Sequence, residues 1–180
     1  MKIPPHAAFV IDGLEAAGYE AWLVGGCVRD SLLGRSPKDW DVATCALPEQ
    51  TARCFPGAGL VKTGSQHGTI GIVTREGVVE ATTFRVEGEY TGRRRPKSLR
   101  FIKRIQEDLK RRDFTINAMA YHQERGLFDP LLGERDLRRG LLRCVGEPDR
   151  RFGEDALRSS PRLRSLSPKS GSKRDRKSVV

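Results

Sequence analysis

The sequence predicts a fold of the α/β (α+β) class, because amphipathic helices, short apolar strands and a hairpin share one chain. Apolar residues recur near the helical period over residues 6–17, which predicts a helix. The apolar run Ala21–Val24 stops at a glycine pair and predicts a buried strand. Residues 69–73 and 78–84 are rich in β-branched side chains and flank a glycine turn, which predicts a β-hairpin.

The remaining elements follow from the same patterns. Further helices are predicted at 28–33, 48–55, 107–121 and 151–158. Further strands are predicted at 40–44 and 141–145, and a short strand that leads into a turn at 127–130. The polar residues 85–98 include three consecutive arginines and predict a mobile loop. Seven of the 22 residues from 159 to 180 are serine and none is aromatic, so we expect a disordered tail there.

The charge of the chain indicates an anionic partner. The formal net charge is +10, although residues 159–180 contribute seven basic residues and one acid to it. The four cysteines form no CxxC pair, so we expect no zinc site and a reducing compartment. No apolar run approaches the ~20 residues that span a bilayer, and the amino terminus lacks a signal-peptide core. We therefore expect a cytoplasmic protein with no membrane partner.

Asp39 and Asp41 form the first candidate site. Two carboxylates at i and i+2 on a strand project from one face, while Trp40 packs on the other. Adjacent carboxylates repel unless a cation lies between them, and Mg²⁺ prefers carboxylate and phosphate oxygens. The alternative is a solvated turn.

Gly25, Gly26 and Arg29 form the second candidate site. A glycine pair between a strand and a helix lets backbone N–H groups approach a phosphate, and an arginine adds fixed positive charge. The alternative is a plain tight turn. The spacing to Asp39 permits a strand–helix–strand unit that brings both motifs to one sheet edge.

Glu80 is a candidate third acid. It interrupts an apolar strand, where a charge is costly unless it is paired, and a neighbouring strand could place it beside Asp39 and Asp41. The alternative is a solvent-facing position on an edge strand.

Two further segments are dense in hydrogen-bonding groups. Arg112, Asp113 and Asn117 could contact ribose or phosphate, or instead begin a charged helix with Asp113 as its N-cap. Asp155 and Arg158 share a helix face at i and i+3, where they could bind a base edge or form an ordinary ion pair.

Together these segments resemble the class II tRNA nucleotidyltransferases and bacterial poly(A) polymerases of the polymerase-β-like superfamily. The resemblance runs in family order from about residue 21 to 158, and the segments that carry it are LVGGCVRDSLLG, KDWDVAT, QHGTIGIV, VEATTFRVEGEY, RRRP, EDLKRRDFTINAMAY, DPLLGERDL, LRCVGEPDRRF and EDALR. It implies a head domain with a mixed, mostly antiparallel five-stranded sheet flanked by helices. Residues 87–96 resemble the flexible loop of the family.

The resemblance also implies a role for each matching residue. The implied roles are triphosphate binding for Gly25, Gly26 and Arg29, metal binding for Asp39 and Asp41, ribose recognition for Arg112 and Asp113, and selection of CTP or ATP by the EDxxR motif residues Glu154, Asp155 and Arg158. We add Glu80 as a candidate catalytic acid and Asn117 as a candidate nucleotide-binding residue.

The implied activity is template-independent transfer of CMP and AMP from CTP and ATP to the 3′ end of tRNA. One Mg²⁺ would lower the pKa of the RNA 3′-hydroxyl and a second would stabilise the leaving pyrophosphate. Two alternatives remain: a bacterial poly(A) polymerase, and an inactive head that only binds nucleotide or RNA.

The sequence departs from the family pattern after residue 158. The family continues an arginine-containing helix there, whereas this chain has Pro161, which does not fit a helix interior. We therefore expect a truncated copy without the helical neck, body and tail domains. The expected division is a head domain at 1–145, the start of a neck helix at 146–158 and a basic tail at 159–180.

Overall fold

A computed structural model describes residues 1–146 apart from 88–89, 92–94 and 97–98, and within 87–98 the description is limited to the backbone. The α-helices in this part of the chain are α1 (Pro5–Ala16), α2 (Gly26–Leu32), α3 (Pro48–Cys54), α4 (Ile105–Lys110) and α5 (Gly133–Arg138). The strands are β1 (Ala21–Val24), β2 (Asp41–Thr44), β3 (Gly59–Val61), β4 (Thr69–Thr74), β5 (Gly77–Thr83), β6 (Arg85–Glu87), β7 (Tyr90–Thr91), β8 (Arg95–Pro96), β9 (Leu99–Phe101), β10 (Ala120–His122) and β11 (Gly126–Phe128). Short 3₁₀ turns cover Ser65–His67 and Thr115–Asn117.

The main sheet has the strand order β11-β10-β1-β2-β5-β4-β3. Every neighbouring pair in it is antiparallel except β2 and β5, which are parallel. This confirms the predicted class and the mixed, mostly antiparallel sheet. The expected number of five strands was wrong, because the described part of the chain places seven in this sheet. The edge strand β3 has only three residues, too few for a periodic pattern in the sequence.

One face of the sheet is covered by helices. Helices α1 and α3 pack on it, and α1 contacts β1, β2 and β5. The core on this side combines apolar residues of α1 with inward-facing residues of the central strands. Its fully buried members include Val10, Leu14, Leu23, Val28, Val42, Ile72, Val79 and Met119.

The described residues cover the second face over only part of its width. Trp22, Ala43 and Ala120 project from β1, β2 and β10 into a second core, where Phe84 and Leu109 pack against them. Over β3, β4 and β5 the same face carries exposed side chains instead. The sheet therefore has a covered half and an open half on this side.

The predicted helix at 107–121 was wrong beyond its first turn. Helix α4 ends at Lys110, and the chain then makes the 3₁₀ turn Thr115–Asn117 before entering β10. Ala120 pairs with Val24 of β1, so this segment becomes a buried strand rather than a helix. Tertiary pairing overrides the helical propensity of the alanine- and methionine-containing run.

Two other predictions of local structure were also corrected. Residues 85–87 belong to β6, which pairs with β9, so the predicted loop at 85–98 is a strand at its start. Tyr90 and Thr91 pair with residues of β8 in a separate two-stranded ladder. The predicted strand at 141–145 is an isolated bridge between Phe114 and Cys144.

The other predicted elements were confirmed to within two residues at each described end. The predicted helix at 151–158 and the predicted tail lie outside the described residues. Within the described ranges, no helix combines the length and the apolar character needed to cross a membrane.

Candidate active site

The turn between β1 and α2 begins at Gly25. Its φ of 76° and ψ of −130° lie in a region that side chains with a Cβ rarely adopt, so glycine is needed there. The chain enters α2 at once, at Gly26, two residues earlier than the predicted helix start. A Cβ on Gly25 would lie 3.1 Å from Nη1 of Arg112 and 3.9 Å from Oδ2 of Asp41. The turn thus places the guanidinium of Arg112 and the carboxylate of Asp41 next to backbone that carries no side chain.

Asp41 is the first residue of β2, whereas Asp39 lies in a bend just before the strand. Asp39 is exposed and Asp41 is half-buried. Trp40 between them is buried in the core on the helical face, with its ring 6.4 Å from that of His6. This confirms that Trp40 packs on the opposite side from Asp41, but Asp39 is on the approach to the strand rather than in it.

Glu80 is the Cα partner of Asp41 across the parallel pair β2–β5. Paired residues of adjacent strands project from the same face, so both acids lie on the partly open side of the sheet. Glu80 is exposed, yet β5 lies between β2 and β4 and is not an edge strand. The structure therefore places Glu80 beside Asp41, which is one of the two positions that the sequence left open.

Arg29 lies along the glycine turn and is held by two partners. Its Nη1 donates to Oδ1 of Asn117 at 2.6 Å, and its Nε donates to Oδ1 of Asp30 at 2.9 Å. Nη2 lies 3.7 Å from where a Cβ on Gly26 would stand. Asn117 is 88 positions from Arg29 in the sequence, and its hydrogen bond orients the guanidinium beside the turn.

Arg112 is an enclosed cation at this site. Its side chain is 18% exposed, and its buried Nε has no hydrogen-bond partner among the described residues. Burial lowers the pKa of Arg112, and the negative charge of Asp108 opposes that shift. A buried guanidinium with an unused donor is suited to an anionic ligand, because an unsatisfied buried donor carries a desolvation cost.

Asp108 is a buried residue of this site that the sequence patterns did not single out. Its carboxylate is 1% exposed, and it accepts hydrogen bonds from Nε of Arg111 at 2.8 Å and Nη2 of Arg112 at 3.3 Å. It also accepts the backbone N–H of Arg85 at 3.1 Å. The spacing of Asp108, Arg111 and Arg112 (i, i+3, i+4) could have indicated this cluster from the sequence, because residues so spaced share a helix face.

A second buried network fixes the segment that follows Arg112. Thr115 donates its hydroxyl to Oδ2 of Asp136 at 2.5 Å, and Nε of Arg143 donates to the same oxygen at 2.8 Å. Burial acts to raise the pKa of Asp136, but these hydrogen bonds and the charge of Arg143 outweigh it, and the pKa is lowered. Asp113 lies between the two networks, and its carbonyl accepts the N–H of Val145 at 3.0 Å.

The close approach of α5 depends on glycine. A Cβ on Gly133 would lie 2.1 Å from the carbonyl oxygen of Thr115. The carboxylate of Asp129 caps the start of α5 by accepting the N–H groups of Gly133 at 2.7 Å and Glu134 at 2.9 Å. Helix α5 therefore packs closely against the loop that carries Arg112 and Asn117 and restricts its position.

The remaining predicted residues lie outside the described part of the chain. These are Glu154, Asp155 and Arg158. Among the described residues no group of three or more His, Cys, Asp or Glu side chains is assembled for a metal. Cys27 lies close to the site, but burial raises the pKa of its thiol to about 11, which makes it a poor nucleophile.

Comparison with known protein families identifies the family of this chain. A family profile described as the poly A polymerase head domain matches residues 21–143, which include β1, β2, β5 and the Arg112 loop. This chain belongs to the poly A polymerase head domain family. The family match spans the described candidate residues from Gly25 to Asn117.

Curated proteins similar to this chain include CCA-adding enzymes. The chain is 46% identical over 168 residues to the CCA-adding enzyme of Geobacillus thermodenitrificans, covering 93% of this chain and 41% of that protein. It is 45% identical over 155 residues to that of Leuconostoc mesenteroides, covering 86% of this chain and 38% of that protein. The chain thus spans about two fifths of the length of the curated relatives it matches.

Solved structures of this family resemble the chain closely. The Bacillus stearothermophilus CCA-adding enzyme in complex with CTP matches with a TM-score of 0.77 and 44% identity, over 88% of this chain and 38% of that one. The Thermotoga maritima CCA-adding enzyme complexed with tRNA matches with a TM-score of 0.66 and 26% identity, over 87% of this chain and 36% of that one.

Proposed function

We propose that this chain transfers CMP and AMP from CTP and ATP to the 3′ end of tRNA without a nucleic-acid template. The observation that carries the proposal is the meeting of Gly25, Asp41 and Arg112 at one end of the sheet. Bare backbone, a carboxylate and an enclosed guanidinium within about 4 Å are suited to a phosphate and its counter-cation. The CCA-adding names of the relatives support the choice of substrates.

The triphosphate is proposed to lie against the glycine turn. Arg29, oriented by Asn117, and Arg112, held by Asp108, neutralise its negative charge from two sides. Because both cations are fixed by other side chains, little reorganisation is needed when the nucleotide binds. Asp113 is proposed to contact the ribose, since it directly follows Arg112 in the same bend.

Asp39 and Asp41 are proposed to hold divalent metal, with Mg²⁺ as the cation, and Glu80, the neighbour of Asp41 across β2 and β5, is proposed as a further catalytic acid. The donor set is suitable, because Mg²⁺ binds to one or two carboxylates and completes its shell with water and substrate phosphate oxygens. When bound, Mg²⁺ lowers the pKa of the RNA 3′-hydroxyl and neutralises charge on the leaving pyrophosphate. The protein groups position the two substrates and exclude other orientations.

The choice of base is proposed to rest on the EDxxR motif. Asp155 supplies an acceptor and Arg158 a forked donor, and Glu154 precedes them, as the resemblance implies. We further propose a head domain at 1–145 followed by a neck-type segment at 146–158. We also propose a cytoplasmic location, where tRNA is available.

The test is nucleotide incorporation by the purified chain with Mg²⁺. The substrate is tRNA lacking its CCA end, with labelled CTP or ATP, and the expected product has CMP added first and AMP last. Asp41→Asn should reduce incorporation by about 10²-fold or more, because it removes a charge at the reacting phosphate. Asp12→Asn, an exposed carboxylate on α1, is the matched control and should have no effect.

Two outcomes would replace the proposal. Incorporation of ATP alone into any RNA would identify a poly(A) polymerase, in line with the description of the family profile. CTP binding in the presence of Mg²⁺ without transfer to any RNA would identify a nucleotide-binding head without catalytic activity.

A further inference from the structure

The open half of the second sheet face continues directly from the candidate active site. Across β2, β5, β4 and β3 the register aligns Asp41 with Glu80, Glu80 with Gly71, and Gly71 with Val61. These four positions form one row on the same face, spaced at the separation of neighbouring strands. The row starts at the carboxylates of Asp41 and Glu80 and ends at Val61 on the edge strand β3.

Gly71 lies in the middle of this row and lines a groove. It has no side chain, and a Cβ there would lie 2.9 Å from Cγ1 of Val78 and 3.1 Å from Cβ of Val61. The valines thus close over the glycine backbone from both sides. The groove has a volume of about 440 Å³, and its lining includes Val61, His67, Gly71, Val78, Glu80 and Arg85.

The lining is suited to a nucleobase. Single-stranded RNA ends are bound by stacking of unpaired bases on imidazole or guanidinium planes and on apolar surface. His67 is exposed at the groove, and Nη1 of Arg85 donates to the carbonyl oxygen of His67. The backbone N–H of Arg85 donates to Asp108, the residue that also holds Arg112.

The position of the groove separates it from the proposed triphosphate site. Gly25 follows β1, on one side of Asp41, whereas the groove lies on the other side and extends from Glu80 on β5 across β4 to β3. Gly71 in the groove is two strands from Asp41, or roughly 10 Å. This is of the order of the distance between the 3′-oxygen of a nucleotide and the far edge of its base.

We propose that this groove holds the base of the 3′-terminal nucleotide of the RNA acceptor, with its 3′-hydroxyl at Asp41 and Glu80. The inference rests on the proposed transfer function. It assigns Val61, Val78 and His67 as acceptor-positioning residues.

The test compares Val61→Glu with Val73→Glu in the full chain. The two valines are 42% and 43% exposed, but Val73 does not line the groove. Val61→Glu should raise the KM for the RNA acceptor about tenfold, because a carboxylate repels the RNA and obstructs stacking. The KM for CTP should be unchanged, and Val73→Glu should leave both constants unchanged. His67→Ala, a second variant that keeps the backbone carbonyl, should also raise the KM for RNA alone.

Photocrosslinking gives a readout that does not need turnover. A hairpin RNA that ends in 4-thiouridine should crosslink to peptides from residues 59–78, and Val61→Glu should abolish the crosslink. Crosslinking confined to other segments, or equal RNA affinity for the Val61 and Val73 variants, would overturn the inference. Absence of transfer by the unsubstituted chain would refute the proposed function, and the crosslink would still decide where the RNA end binds.

Discussion

Arg112 lies against Gly25 so closely that a Cβ on the glycine would stand 3.1 Å from Nη1 of the arginine. The contact joins two segments that are far apart in the sequence, the turn after β1 and the bend after α4. The glycine also has a φ of 76°. A side chain at this position would therefore meet both backbone strain and a steric conflict.

The first prediction is that Gly25→Ala weakens CTP binding. We expect a loss of stability of about 1–3 kcal/mol from the unfavourable backbone angles, and displacement of Arg112 from the turn. Gly34→Ala is the matched control, since its φ is 68° and nothing lies within 4 Å of its Cβ position. It should lose stability without losing CTP affinity, as measured by thermal denaturation and calorimetry. Equal CTP affinity in both variants would contradict the proposed phosphate site.

The second prediction concerns the orientation of Arg29 by Asn117. Asn117→Ala removes the acceptor at 2.6 Å from Nη1, so of these two partners Asp30 alone holds the guanidinium, which is less firmly fixed beside the turn. We expect CTP affinity to fall about tenfold, because a hydrogen bond to a charged group contributes about 1.5 kcal/mol or more. Equilibrium dialysis with labelled CTP measures the change. Gln106→Ala, an exposed amide on α4, should bind like the unsubstituted chain.

The third prediction is that Asp108→Asn destabilises the fold. The neutral amide leaves Arg111 and Arg112 without their buried counter-charge, so the free energy of unfolding should fall by about 3 kcal/mol. Urea denaturation measures it, with Glu107→Gln as the neighbouring control that should change little. A variant as stable as the control would mean that solvent, rather than Asp108, compensates the positive charges of Arg111 and Arg112.

The fourth prediction is a pH dependence that originates from Asp136. Its pKa in the folded chain lies below the ordinary value of 3.8, so its charged form stabilises the fold at higher pH. That contribution is complete above pH 3.8 and is lost as the pH falls through the lower folded pKa. Asp136→Asn should therefore be less stable than the unsubstituted chain at pH 7, and the difference should narrow below pH 4. A difference that stays constant from pH 7 to pH 3 in urea denaturation would contradict this.

Local patterns determined most of the strands and helices near the site. The glycine pair, the hairpin at β4–β5 and the helices α1 and α3 were all predictable, because periodicity and turn residues act over a few positions. The candidates Gly25, Arg29, Asp41 and Arg112 were also identified from residue type and spacing. Their proposed roles remain predictions.

Only the tertiary structure decided which of these residues meet. The sequence left open whether Glu80 lies beside Asp41, and the parallel pairing of β2 with β5 settles their register. It predicted a helix where Ala120 forms a strand, because the pairing with β1 outweighs local propensity. It missed Asp108, whose importance comes from burial and from Arg85 and Arg112 reaching it. Composition and short-range pattern thus determined the elements and the candidate chemistry, whereas long-range pairing and burial decided the geometry of the site.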